Sequence, residues 1–217
     1  MPLINTAFQY NSAQKKLTEQ KLASEDFTYK DWGNDDLEEI RISIRDFYRQ
    51  NQNGVCAYCK CNISLTSPLN AHVEHIVPKS LFKKFMFEPK NLCILCADCN
   101  AIKKDQEVLN ELSNPLKKDN ILYPRSSKAF KIVHPHFDEY DDHIAIKGKI
   151  YIDITSKGNF TIGACKLNRY FQKFGINQDF IDDTILIEIM ESFISSNSSS
   201  KRHHLLEELK NILLCST

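Results

Sequence analysis

Two Cys-x-x-Cys pairs, Cys56/Cys59 and Cys96/Cys99, bracket the run His72-Val73-Glu74-His75, with Asn91 between them and Asn100 directly after the second pair. Four thiolates in two such knuckles are the donor set of a closed tetrahedral zinc site. Structural Zn2+ there would tie together a carboxylate, an imidazole and two amides. Hydrolysing a phosphodiester without a covalent intermediate needs a base for water, a cation for the charge on phosphate and leaving oxygen, and a group that orients the base. His75 suits the base role, because imidazole titrates near neutral pH. Glu74 and Asn100 offer oxygen ligands to a hard divalent ion, Mg2+ or Mn2+. Asn91 can hydrogen-bond the His75 ring and fix its tautomer. Neighbours on a regular strand point to opposite faces, so Glu74 and His75 share a site only where the strand ends or bends. Pro78 predicts that end.

The elements that must hold these residues are legible in outline. A helix is expected around Ser12 to Ser24. Asn34 is expected to cap a second, with Leu37, Ile40, Ile44, Phe47 and Tyr48 on one apolar stripe and Gly54 as its stop. Residues 70–77 read as a strand, 79–90 as a loop or a turn of helix carrying Lys79, Lys83, Lys84 and Lys90, and 91–95 as a second strand. Cys99 to Leu112 reads as a helix. Beyond Pro115 and Pro124, residues 144–154 alternate cleanly and turn at Lys147-Gly148, a hairpin to which Phe160-Thr161-Ile162 could add a third strand. Helices are expected over Cys165 to Phe174, Gln178 to Ser195 and Lys201 to Leu214, with a Ser/Asn-rich loop at 195–200. The fold class is α+β, divided as 1–53 (N-terminal helical segment), 54–112 (site-bearing core) and 113–217 (C-terminal α+β extension).

Composition narrows the context. The chain has 217 residues, 42% hydrophobic and 26% charged, enough for a globular core, and its formal net charge is zero. There is then no global attraction to nucleic acid, so basic groups for such a ligand must be local or supplied by a partner. The eight cysteines follow no secretory signal pattern, and no run approaches the ~20 apolar residues of a membrane span. A cytoplasmic setting is expected, in which paired Cys-x-x-Cys reads as metal-binding rather than disulfide-bonded.

Cys56-x-x-Cys59, Glu74-His75-Ile76-Val77-Pro78, Asn91-Leu92 and Cys96-x-x-Cys99-Asn100-x-x-Lys103 together resemble an HNH endonuclease of the zinc-knuckle, ββα-metal (His-Me finger) type over about residues 54–110. The resemblance implies Glu74 and Asn100 as ligands of the catalytic ion, His75 as general base and Asn91 as its orienting residue. Glu74 stands where that family more often has Asp. Cys-Ala-Tyr-Cys, His-Val-Glu-His-Ile-Val-Pro-Lys-Ser and Cys-Asn-Ala-Ile-Lys, with the downstream runs His134-Pro135 to Asp138, His143-Ile144, Lys157-Gly158 to Thr161-Ile162 and Leu167-Asn168-Arg169, are similar to the HNH nuclease subunit of Septu-type bacterial antiphage systems and retron-associated relatives. That resemblance implies an ABC/SMC-type ATPase partner; DNA is the expected substrate ahead of RNA.

Lys103, Lys79, Lys83 and Lys84 are either candidate phosphate contacts or an ordinary solvated face. His72 could be a further metal ligand or phosphate contact, or a strand histidine with a hydrogen bond. The cluster His134, His136, Asp138, Asp141, Asp142, His143 lacks ligand spacing and reads as a structural turn. The last helix, with its leucine stripe, is either a docking element for the partner or a helix that packs on the core. Two other readings stay open: a zinc-stabilised nucleic-acid-binding or adaptor protein with an inactive HNH fold, and a nuclease directed at RNA such as transfer RNA.

Overall fold

The computed structural model describes residues 3–110, 122–147, 149–175 and 184–215. Helix α1 (Ser12–Ala23) is fixed at its start by a capping box between Asn11 and Gln14. A 3-10 turn at Tyr29–Gly33 and another at Asp35–Leu37 lead into α2 (Glu38–Asn51). The helix therefore starts later than Asn34, whose side chain makes no cap bond and donates to Asp31 instead. Leu37, Ile40, Ile44 and Tyr48 are buried along one face of α2. The Tyr48 hydroxyl donates to the Pro89 carbonyl (2.6 Å) and accepts from the Phe8 amide (3.1 Å), so the helix is bolted to segments on both sides. Gly54, at φ 69°, ends this segment in the left-handed region that glycine adopts without strain.

Strand β1 (His72–His75) pairs antiparallel with β2 (Leu92–Leu95), Glu74 opposite Cys93 and His75 opposite Leu92. Helix α3 (Ala97–Lys103) packs on both strands, and α2 covers them as well. This is the ββα unit with the second knuckle at the start of its helix. The helix is shorter than its periodicity suggests. Lys104 leaves it at φ 48°, and the following chain pairs instead: Lys131 N–H donates to Val108 O and Asn110 N–H to Ala129 O. Leu112 lies outside the described residues.

Strands β3 (Ile144–Lys147) and β4 (Ile150–Asp153) form the expected hairpin, its turn residue Gly148 lying outside the described residues. No third strand follows. Phe160-Thr161-Ile162 sits inside α4 (Ser156–Cys165), which Thr155 starts by accepting from the Gly158 amide. Three alternating residues cannot distinguish the two periodicities, and the cap decided it. Gly158 is required here, since a Cβ would lie 1.9 Å from the His143 carbonyl oxygen. The helix expected over 165–174 begins only at Arg169 (α5, Arg169–Phe174), because Cys165 closes α4 and Lys166 adopts φ 44° between them. Helices α6 (Thr184–Ser195) and α7 (Ser199–Cys215) pack on each other. The start expected at Gln178 lies outside the described residues.

One core runs from Ile4 through α2, the ββα unit and Phe130 to Leu167. A smaller cluster joins Ile152 of the hairpin to Leu186, Met190 and Leu209 of the last two helices. Of the leucine stripe on α7, Leu205 and Leu209 are buried while Leu206 is exposed. Among the described residues no helix is long and apolar enough to cross a membrane.

Candidate active site

The two knuckles converge. The sulfur atoms of Cys56, Cys59, Cys96 and Cys99 all lie within 4.8 Å of one another, all four residues are buried, and Cys59 Sγ is 3.7 Å from Cys96 Sγ. Zinc–sulfur bonds of ~2.3 Å in a tetrahedron place sulfurs roughly 3.8 Å apart, so the cluster fits zinc. The surroundings support thiolates. Cys96 Sγ accepts from the Cys99 amide and caps α3, and the Arg169 guanidinium approaches Cys99 Sγ at 3.9 Å. Tyr151 and Tyr140 donate to the carbonyls of Cys59 and Tyr58 and hold the first knuckle from the C-terminal side. Cys61, exposed, is not part of the cluster.

Beside it, Glu74, His75 and Asn100 line one cleft of about 270 Å³. Glu74 and His75 reach it together because β1 ends at His75 and the chain bends at Ile76 and Val77. Asn100 projects from the second turn of α3. His75 is 4% exposed, its ring edge-on to Trp32 with centroids 4.6 Å apart. Its Nε2 lies 3.1 Å from the Met86 carbonyl oxygen, an atom that can only accept. Nε2 therefore carries the proton, and in the neutral ring Nδ1 is the bare nitrogen. Burial, then the nearby Lys79 charge, holds the His75 pKa well below the usual imidazole value, which keeps the ring neutral.

The ring is thus oriented by Met86, not by Asn91. The Asn91 side chain is fully used elsewhere: its oxygen accepts from Val77 N–H (2.7 Å), and its amide donates to Val77 O and Phe85 O (both 3.0 Å). It clamps the loop that carries Met86, one step removed from the imidazole.

Lys103 also departs from its expected place. It is 0% exposed and donates to Glu74 Oε1 at 2.6 Å, so its ammonium is not available to a phosphate. Burial raises the Glu74 pKa, and Lys103 is the largest influence opposing that rise. No second protein partner holds the Glu74 carboxylate among the described residues. Removing the ammonium would strand a buried carboxylate. Lys103→Met is expected to cost about 3 kcal/mol, read as a fall in the thermal unfolding midpoint, whereas an unchanged midpoint would mean that the pair does not hold the fold.

Of the other lysines, Lys79 lines the cleft, Lys83 donates to the Phe27 carbonyl (2.8 Å), and Lys84 lies over the Phe85 ring. His72 lines the cleft while bonding the Leu69 carbonyl (2.9 Å). Arg41, Arg45 and Lys104 join it there, so four basic side chains (Arg41, Arg45, Lys79, Lys104) face one acidic one, Glu74. The charge that is balanced over the whole chain is locally positive here. The arginines were missed because α2 reads as a packing helix. Their spacing of four residues, on the flank of its apolar stripe, was the available signal.

The His134–His143 run is a hydrogen-bonded turn, as its spacing suggested. His134 Nδ1 accepts from the His136 amide, so Nε2 donates to the Tyr123 hydroxyl (2.9 Å), and Asp138 accepts from the His134 amide and from Lys157. His136 Nε2 donates to the Leu92 carbonyl (2.8 Å). Burial holds the His134 pKa well below the usual value and His136 down to about 4. Both folded values lie below the unfolded ~6.5, so the unfolded chain binds more protons in acid. Stability is full above pH ~6.5 and falls as pH drops, by up to ~1.4 kcal/mol per pH unit for each histidine. His75 shifts in the same direction, so urea unfolding at pH 7 and pH 5 should show a loss of about 5 kcal/mol, lowered by roughly a third in His136→Gln. Equal stability at the two pH values would refute this.

Residues 56–106 match the HNH endonuclease family. The match opens on the first cysteine of the cluster and closes just past α3, taking in Glu74, His75, Asn91 and Asn100. It supports a nuclease in general terms. No match to a curated protein is found.

Proposed function

We propose that this chain is a divalent-metal-dependent HNH endonuclease that hydrolyses phosphodiester bonds. The observation that carries the reading is the meeting of Glu74, His75 and Asn100 in one basic-lined cleft next to a four-cysteine cluster. A zinc-stabilised adaptor needs the cysteines but has no use for a neutral, oriented imidazole beside a carboxylate. Mg2+ or Mn2+ held by Glu74 and Asn100 would supply charge stabilisation at the scissile phosphate and leaving oxygen. His75 takes a proton from the attacking water on Nδ1, while its Nε2–H stays on the Met86 carbonyl. Lys103 opposes the rise that burial imposes on the Glu74 carboxyl and so favours its ionised form. Trp32 and the loop clamped by Asn91 limit the ring to one orientation.

DNA is the proposed substrate ahead of RNA, and residues 113–217 are the proposed extension through which an ABC/SMC-type ATPase would dock in a Septu-type antiphage complex. The motif runs around the knuckles and from His134 to Arg169 support that context. Zero net charge suits a nuclease that is weak alone and is presented with substrate by its partner. The test is cleavage of plasmid DNA and of RNA by the purified chain at low salt with Mn2+ or Mg2+, compared with His75→Ala. Metal-dependent cutting lost in the variant is the expected result. Cutting that survives in the variant would sink the assignment of the base, and absence of cutting on both substrates would favour the adaptor.

A further inference from the structure

Arg41 and Arg45 lie one helical turn apart on α2, outside the segment that matches the nuclease family, yet both line the Glu74–His75 cleft. Each is held by backbone carbonyls. Arg41 Nη1 donates to Trp32 O (2.6 Å) and Asn34 O (2.7 Å), and Arg45 Nε donates to Ala71 O (3.0 Å), the residue before β1. Among the described residues, neither guanidinium has a carboxylate in ion-pair range. The acid nearest in sequence, Asp46, is taken by Arg49, which follows on the same face at 2.9 Å from it and also donates to Ser67 O. Arg49 is therefore paired and lies outside the cleft lining, whereas Arg41 and Arg45 line the cleft with no such pair. Burial, then the Arg49 charge, holds the Arg45 pKa below the usual arginine value. Two like charges pinned at a partly buried site without an ion pair of their own are an unfavourable arrangement that a bound anion relieves. A guanidinium tethered at one edge still offers donors matched to a phosphate.

We propose that Arg41 and Arg45 form a second phosphate site, which grips the backbone of a polynucleotide at a phosphate other than the one cleaved. This rests on the nuclease reading and adds the residues that hold the substrate in register. They are positioning residues, contributed by the N-terminal helix rather than by the ββα unit.

The test is binding of a short labelled single-stranded DNA, and of the matching RNA, to the full chain by fluorescence anisotropy, with Ca2+ and across a salt series. Arg45→Gln and Arg41→Gln retain a side-chain amide donor for the tethering carbonyls while removing the charge. Each is expected to weaken binding roughly tenfold at low salt and to lower the slope of log K against log salt by about one. An unchanged thermal midpoint in Arg45→Gln separates this loss from misfolding. Wild-type affinity and slope in both variants would overturn the proposal while leaving the nuclease reading intact. A wild-type chain that binds neither probe and cuts neither substrate would overturn both.

Discussion

Cys96→Ser is expected to abolish cooperative folding of the ββα unit at 37 °C, together with loss of one bound zinc per chain. Serine is nearly isosteric and its hydroxyl can still cap α3 where Cys96 Sγ now accepts from the Cys99 amide. The exchange therefore tests metal ligation rather than capping. Zinc in a structural four-thiolate site contributes on the order of 10–16 kcal/mol to folding, as much as the whole stability of a typical domain. The effect should spread, because the first knuckle is where Tyr140 and Tyr151 anchor the C-terminal region and the second begins the helix bearing Asn100 and Lys103. Metal content by mass spectrometry and near-ultraviolet circular dichroism provide the readout. Cys61→Ser, at an exposed thiol outside the cluster, is the control and should change little. A Cys96→Ser protein that melts within a few degrees of wild type would show that the four cysteines are not a structural metal site.

His75→Ala should reduce cleavage by ~10²–10⁴-fold, the usual worth of a positioned general base, with zinc content retained. The ring is buried against Trp32, so the alanine variant also leaves a void. His75→Gln avoids much of that loss. Its amide can donate to Met86 O as Nε2–H does now, yet it cannot accept a proton from water. Both variants should therefore be inactive while the glutamine form melts closer to wild type. Near-wild-type cleavage by a folded His75→Gln would remove His75 from the chemistry.

Much of this site could be read along the chain, because its signals are local. Cys-x-x-Cys spacing is set by the turn that presents two sulfurs to one ion, and Glu74-His75 followed by Pro78 marks a strand that must stop. The α2 stripe and the β3–β4 alternation are equally short-range patterns, and each appears where its period places it. Elements without a private signal went astray. Phe160-Thr161-Ile162 has too few residues to declare a period. The end of α3 was fixed by a left-handed Lys104 and by pairing with residues 129–131, neither of which hydropathy encodes.

By itself, the sequence determined which residue types could perform the chemistry and that they lie between two metal-binding turns. Only the tertiary structure decided their partners. It gave the orientation of His75 to the Met86 carbonyl rather than to Asn91, turned Lys103 inward onto Glu74, and brought Arg41 and Arg45 from a distant helix to the cleft. The reason is physical: spacing along a chain fixes which groups share a turn or a strand end. A buried donor or charge takes whichever acceptor or counter-charge the packed core leaves beside it.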